Sequence, residues 1–135
     1  MIVGIGVDML DSRRIAKSIE RFGDRFLSRI FTDAEKAQAA GRADRTLYFA
    51  KRFAAKEAIY KALSASGLEG LRWRDANITN NGRGAPVVTL TGVCKTALER
   101  LTPDGYNPEI SISISDEPPH VLAFVVLSVI GRQDQ

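Results

Sequence analysis

The spacing of apolar residues along this chain changes several times, and each change marks an element. Ile2 to Val7 is a short apolar run carrying two glycines, the pattern of a buried strand that ends in the carboxylate of Asp8. From Ser12 the period lengthens. Ile15, Ile19, Phe22, Phe26 and Ile30 recur at steps of four, three, four and four, which predicts an amphipathic helix with one face on the core and Asp11 or Ser12 as its cap. Thr32-Asp33-Ala34-Glu35 fits a capping box, so a second helix is expected to start there and to fray near Gly41. Leu47 to about Leu63 reads as a longer helix, rich in alanine and ended by Ser64-Ala65-Ser66-Gly67.

The second half favours strands. Trp73 to Asn77 leads into Ile78-Thr79, the turn residues Asn80 to Gly84 follow, and Pro86 to Thr91 completes a hairpin. Thr91 is placed to cap a helix from Gly92 to about Leu101. Glu109 to Ser115 alternates isoleucine with serine, the mark of a strand with one apolar and one hydroxyl-lined face. Val121 to Ile130 is continuously apolar, as expected of a central strand, and Gly131 to Gln135 reads as a loose tail. The expected class is α+β, with helices packed on a mainly antiparallel sheet. At 135 residues, with no linker, repeat or low-complexity segment, the chain is expected to form a single domain over 1–135.

Composition narrows the function. No apolar run approaches the length of a membrane span, and Met1-Ile2-Val3 enters a strand without the layout of a secretory signal, so a cytoplasmic location is expected. With Cys94 and His120 each alone of its kind, a zinc-type cluster is excluded, and any metal must be held by oxygen. The net charge is only +3, yet six cations stand against two acids between Ser12 and Ile30. Arg14, Lys17, Arg21 and Arg25 recur along one face of that helix, which is either a solvated surface or a docking site for an acidic partner. The acidic partner could be nucleic acid phosphate or an acidic protein helix. The low aromatic content, 7%, argues against single-strand nucleic acid binding.

Candidate chemistry centres on Arg52-Phe53-Ala54-Ala55-Lys56-Glu57-Ala58-Ile59-Tyr60-Lys61. Glu57 and Lys61 lie four apart on a helix, which alone is the spacing of an ordinary ion pair worth ~0.3 to 0.5 kcal/mol. Beside it stands Asp8, a carboxylate behind a strand of Ile, Val and Gly that is costly unless paired, metal-bound or used as a cap. Two acids from separate elements can converge on a divalent cation bound to phosphate oxygens, while Lys61 reaches the same anion. Gly4 and Gly6 lack the third glycine of a dinucleotide fingerprint. Asn81-Gly82-Arg83-Gly84 offers exposed amides and an arginine suited to a nucleotide, or to a plain turn.

Taken in order, Gly4-Ile5-Gly6-Val7-Asp8, Arg14-Ile15, the stretch from Arg52 to Ala58 with Lys61, and Asn81-Gly82-Arg83 with Pro86 resemble the 4'-phosphopantetheinyl transferase superfamily, in its short bacterial form, over nearly the whole chain. The resemblance implies an enzyme that transfers 4'-phosphopantetheine from coenzyme A to a serine of acyl carrier protein, in support of fatty acid biosynthesis. It implies Mg2+ held by Asp8 and Glu57, with Lys61 on the phosphate under attack and Asp8, Glu57 and Lys61 as the catalytic set. The base is either Glu57 or a water at the metal. Lys51, Arg52, Arg83, Gly84 and Pro86 are the implied coenzyme A contacts, and Arg14, Arg21 and Arg25 the implied contacts of the acidic carrier. Short members of the superfamily are homotrimers with active sites between subunits, and the same is expected here. Asp116 stands where many relatives carry histidine. Two alternatives remain at this stage: a binding module that grips nucleic acid, and a relative that modifies carrier domains of peptide or polyketide synthases.

Overall fold

A computed structural model of the chain describes residues 1–132. Strand β1 (Ile2–Asp11) is followed by helices α1 (Ser12–Phe22), α2 (Asp24–Ile30), α3 (Asp33–Ala40) and α4 (Arg45–Leu63). Then come strands β2 (Ala76–Asn80) and β3 (Pro86–Leu90), helix α5 (Gly92–Leu101), and strands β4 (Tyr106–Glu117) and β5 (His120–Gly131). The class is α+β, as the spacing predicts. The strands form two antiparallel sheets rather than one: β1-β5-β4, with the continuously apolar β5 at the centre, and the hairpin β2-β3. Residues 133–135 of the expected tail lie outside the described residues, and Gly131 belongs to β5.

Two of the boundaries that differ from the sequence reading bear on the site. The basic helix expected from Ser12 to Ile30 is broken at Gly23, whose φ of +57° closes α1 and opens α2. Glycine occupies this left-handed region without the steric penalty of a side chain, so an uninterrupted apolar period does not guarantee an uninterrupted helix. The turn leaves Phe22 half exposed and puts Leu27 in the core. Asp8 does not close β1, which runs on to Asp11, and Asp11 caps α1 by accepting from the Arg13 amide. Pairing with β5 is what prolongs the strand, through Asp8 opposite Ala123 and Leu10 opposite Val121.

Helix α4 is the scaffold. Ala54, Ala55, Ala58, Ile59, Ala62 and Leu63 are buried on it. Gly4 and Gly6 let β1 lie directly on its backbone, since a Cβ at Gly6 would fall 1.9 Å from the Ala58 carbonyl oxygen and one at Gly4 2.3 Å from that of Ala62. The two glycines are therefore a packing device, consistent with the missing third glycine. The other face of the three-stranded sheet carries Ile5, Val7 and Met9 of β1 beside Leu122 and Phe124 of β5, all exposed, Met9 at 72% and Ile5 at 61%. Ser111, Ser113 and Ser115 of β4 continue that face, in register with Val126, Phe124 and Leu122.

Helix α3 forms as its capping box predicts, with Thr32 and Glu35 bonded reciprocally. It lies along the edge of β2 that faces away from β3. There Glu35 Oε2 accepts from the Ile78 amide at 2.8 Å, Gln38 Oε1 accepts from the Asn80 amide at 2.9 Å, and Gln38 Nε2 donates to the Asn80 carbonyl at 3.0 Å. Lys56 of α4 donates to the Ala76 carbonyl at 2.5 Å and pairs with Glu35 at 2.8 Å, both side chains fully buried. Three long side chains thus stand in for an absent strand, satisfying backbone groups whose burial would otherwise be costly. Thr91 takes the N-cap position of α5, but its hydroxyl reaches Asp75 (3.5 Å) instead of a helix amide.

Candidate active site

The predicted catalytic residues and most of the predicted coenzyme contacts gather in two places, one at each edge of the three-stranded sheet. At the β1 edge, Asp8 shares the face of Gly6 and Leu10 and meets α4 near its end. Lys61 Nζ donates to Asp8 Oδ1 at 3.2 Å and to the Val7 carbonyl at 2.9 Å. The ammonium therefore turns away from the i,i+4 partner that spacing alone suggests. Glu57, half buried, has neither an ion pair nor a side-chain hydrogen bond among the described residues. Burial first, and then the negative charge of Asp8, raise the Glu57 carboxyl above its ordinary value of 4.5, with Lys61 and Arg14 opposing.

This pair tests whether a divalent cation fits. Two carboxylates near enough to repel, one of them without a protein partner, form an all-oxygen donor set suited to a hard ion. Among the described residues no third acid, histidine or cysteine joins them. That suits Mg2+, which keeps several waters and is often held by one or two carboxylates together with substrate phosphates.

At the β4 edge a cavity of about 280 Å³ is lined by Lys51, Arg52, Asn80, Gly84, Pro86, Ile112, Ser113 and Ile114. Four of the five predicted coenzyme residues meet there. Arg83 lies on the exposed turn and is not part of the lining. Arg52 is only 3% exposed and has no carboxylate within ion-pair distance among the described residues. Its Nη2 donates to Asn80 Oδ1 at 2.5 Å, its Nε has no acceptor, and its guanidinium carbon lies 3.8 Å from the centre of the Tyr48 ring. Burial pulls its pKa below the ordinary arginine value. Lys51 pairs instead with Asp116 at 2.7 Å, so that carboxylate holds a pocket lysine.

Asn80, Tyr48 and the β4 residues Ile112 to Ile114 escaped the sequence reading. A turn-like Asn80 gives no sign that a buried arginine will use it. The only available signal for Ser113 was the hydroxyl-lined face of β4.

The predicted carrier contacts Arg14, Arg21 and Arg25 are all exposed and in no ion pair among the described residues. Arg25 joins Phe22, Phe26 and Arg29 around a groove of about 270 Å³, and the Arg21 guanidinium lies 5.0 Å from the centre of the Phe22 ring. This surface is cationic at its rim and aromatic within, because the break at Gly23 turns Phe22 outward.

Comparison with known proteins bears on the family and the fold. Residues 4–117 match the family model described as the 4'-phosphopantetheinyl transferase superfamily. The chain is 50% identical over 132 residues to a holo-[acyl-carrier-protein] synthase of Xanthobacter autotrophicus, covering 98% of each, and 51% identical over 134 residues to one of Rhodopseudomonas palustris, covering 96% of this chain and 92% of the relative. Among solved structures it is similar to holo-[acyl-carrier-protein] synthase from Neisseria meningitidis, with a TM-score of 0.79 and 35% identity over 95% of this chain and 99% of the other. It is also similar to the Helicobacter pylori enzyme in complex with coenzyme A, with a TM-score of 0.74 and 30% identity over 92% of this chain and 99% of the other.

Proposed function

The chain belongs to the 4'-phosphopantetheinyl transferase superfamily, and from that premise we propose that the two edges of its sheet divide one reaction between them. The enzyme transfers 4'-phosphopantetheine from coenzyme A to a serine of apo acyl carrier protein. The serine oxygen forms a bond to the pantetheine-side phosphorus, the bond from that phosphorus to the bridging oxygen breaks, and adenosine 3',5'-bisphosphate leaves. The partnerless Glu57 beside Asp8 is the observation that carries the assignment of residues.

Asp8 and Glu57 hold Mg2+, which when bound supplies neutralisation of the non-bridging phosphate charge. Lys61, already beside Asp8, places its ammonium on the phosphate under attack. A carboxyl that holds its proton more firmly than a free glutamate is also suited to accept the serine proton. At the other edge Lys51, Arg52, Gly84 and Pro86 take the nucleotide end, with Arg52 on its 3'-phosphate and Arg83 closing from the turn. A buried guanidinium without a carboxylate is a preformed anion site. Arg14, Arg21 and Arg25, all exposed, receive the acidic carrier, and the reaction serves fatty acid synthesis in the cytoplasm.

The two half-sites lie on opposite edges of a sheet with β5 between them. The unpartnered apolar face formed by Ile5, Val7, Met9, Leu122 and Phe124 supports self-association. Together they favour a homotrimer in which the carboxylate edge of one subunit faces the nucleotide edge of the next. The test is intact-mass spectrometry of apo acyl carrier protein incubated with the enzyme, coenzyme A and Mg2+. A gain of one phosphopantetheine that EDTA abolishes and Glu57→Ala loses supports the reading. An unchanged carrier mass with folded enzyme refutes it for that carrier.

A further inference from the structure

A buried guanidinium needs something to fix its orientation, and both groups that touch Arg52 are held by a single side chain. Asn80 accepts from Arg52 through Oδ1, and Tyr48 supplies the ring beneath it. Gln38, half buried on α3 and absent from the cavity lining, accepts from the Tyr48 hydroxyl at 2.8 Å and from the Asn80 amide at 2.9 Å. It also donates to the Asn80 carbonyl at 3.0 Å. All the hydrogen-bonding capacity of the Gln38 amide except one hydrogen is used on the two residues in contact with Arg52.

We propose that Gln38 is a positioning residue that sets the Arg52 guanidinium for the 3'-phosphate of coenzyme A, and so helps the enzyme discriminate coenzyme A from its 3'-dephospho form. This rests on the reading of Arg52 given above. The physical reason is orientation. Asn80 ends β2 opposite Pro86, and its own amide and carbonyl both bond to Gln38, so loss of Gln38 releases the two groups that fix the angle at which Oδ1 meets the guanidinium. Helix α3 itself cannot drift, because Glu35, one turn earlier, is anchored to the Ile78 amide and to Lys56. Gln38 therefore transmits a rigid frame to the arginine. A side chain fixed from behind loses less freedom when its anion arrives, which is where the selectivity comes from.

The test compares coenzyme A and 3'-dephospho-coenzyme A as donors, measuring kcat and KM for wild type, Gln38→Ala, Arg52→Ala and the double variant. Arg52→Ala is expected to raise KM for coenzyme A about 30-fold and to erase the preference between donors. Gln38→Ala is expected to raise KM for coenzyme A about tenfold while changing that for the dephospho donor far less, with the loss in KM rather than kcat. In the double variant the two effects are expected not to multiply, since Gln38 acts through Arg52. Equal weakening of both donors by Gln38→Ala, a loss confined to kcat, or multiplicative effects would each overturn the proposal. If Arg52→Ala collapses the preference and Gln38→Ala leaves it intact, the Gln38 inference alone fails. If Arg52→Ala leaves the preference intact, the reading of Arg52 fails with it. Should Gln38→Ala not fold, Gln38→Met, which keeps the length and adds no charge but can bond to neither the Tyr48 hydroxyl nor the Asn80 backbone, is judged by the same selectivity ratio.

Discussion

At the β1 edge Lys61 pairs with Asp8 and leaves Glu57 without a partner, whereas at the β4 edge Asp116 pairs with Lys51 and leaves Arg52 without a carboxylate. In each case one member is paired and the other, a half-buried glutamate or a buried arginine, is left uncompensated. Each edge is thus short of one opposite charge, and the shortfalls are complementary. A metal-bound phosphate ester with a second phosphate some distance away satisfies both. The comparison teaches that ion pairs visible in a protein are less telling than the charge they leave over.

The largest test removes the charge left over at the β1 edge. Glu57→Ala is expected to lower kcat by about 10³-fold, the scale of losing a preorganised charged group at a reacting phosphate, with KM for coenzyme A little changed. Steady-state rates of carrier modification read this directly. Next is Gly6→Ala, which drives a methyl group into the Ala58 carbonyl. It should cost about 3 kcal/mol or more in urea unfolding. In whatever folds, the carboxylate edge should suffer and nucleotide binding at the β4 edge should survive, as calorimetry with adenosine 3',5'-bisphosphate would show.

A milder test is Arg21→Glu, which should raise KM for the carrier about tenfold at low salt, with a gap that closes as ionic strength rises. Smaller still is Asp116→Asn. By freeing Lys51 from its partner it should lower KM for coenzyme A about threefold at most, the scale of a partly exposed ion pair. An increase in KM would mean that Asp116 orients Lys51 instead of competing for it.

The smallest effect concerns pH. In metal-free protein the Glu57 carboxyl, raised by burial and by Asp8, keeps its proton above 4.5. The folded chain then binds more protons than the unfolded one between 4.5 and the higher folded value, so stability falls as pH rises through that window. Glu57→Gln should flatten the slope there. Carbon-detected NMR of the carboxyl should show its midpoint moving down when Asp8 is replaced by Asn, because the first cause, burial, persists while the second is gone.

Much of the fold could be read from local spacing, because local rules made it. The capping box at Thr32, the alanine-rich α4 and the central β5 follow from short-range preferences. The break at Gly23 and the extension of β1 to Asp11 do not, since one depends on a single backbone angle and the other on pairing with residues more than a hundred positions away. The candidate site divides in the same way. Asp8, Glu57, Lys61, Lys51 and Arg52 stood out by type and motif. Asn80 and Gln38 did not, because their part is to hold an arginine reached only through the packing of α3 on β2.

That packing has a consequence for the life of the chain in solution. With α3 in place, the outer edge of β2 offers no open ladder, because Glu35, Gln38 and Lys56 already occupy its amides and carbonyls. If α3 peels away, the same edge becomes a template for another extended segment, since unpaired strand edges recruit strands from neighbouring molecules. The helix that steadies the arginine therefore also guards against aggregation, and proteolytic loss of α3 should show itself first as turbidity.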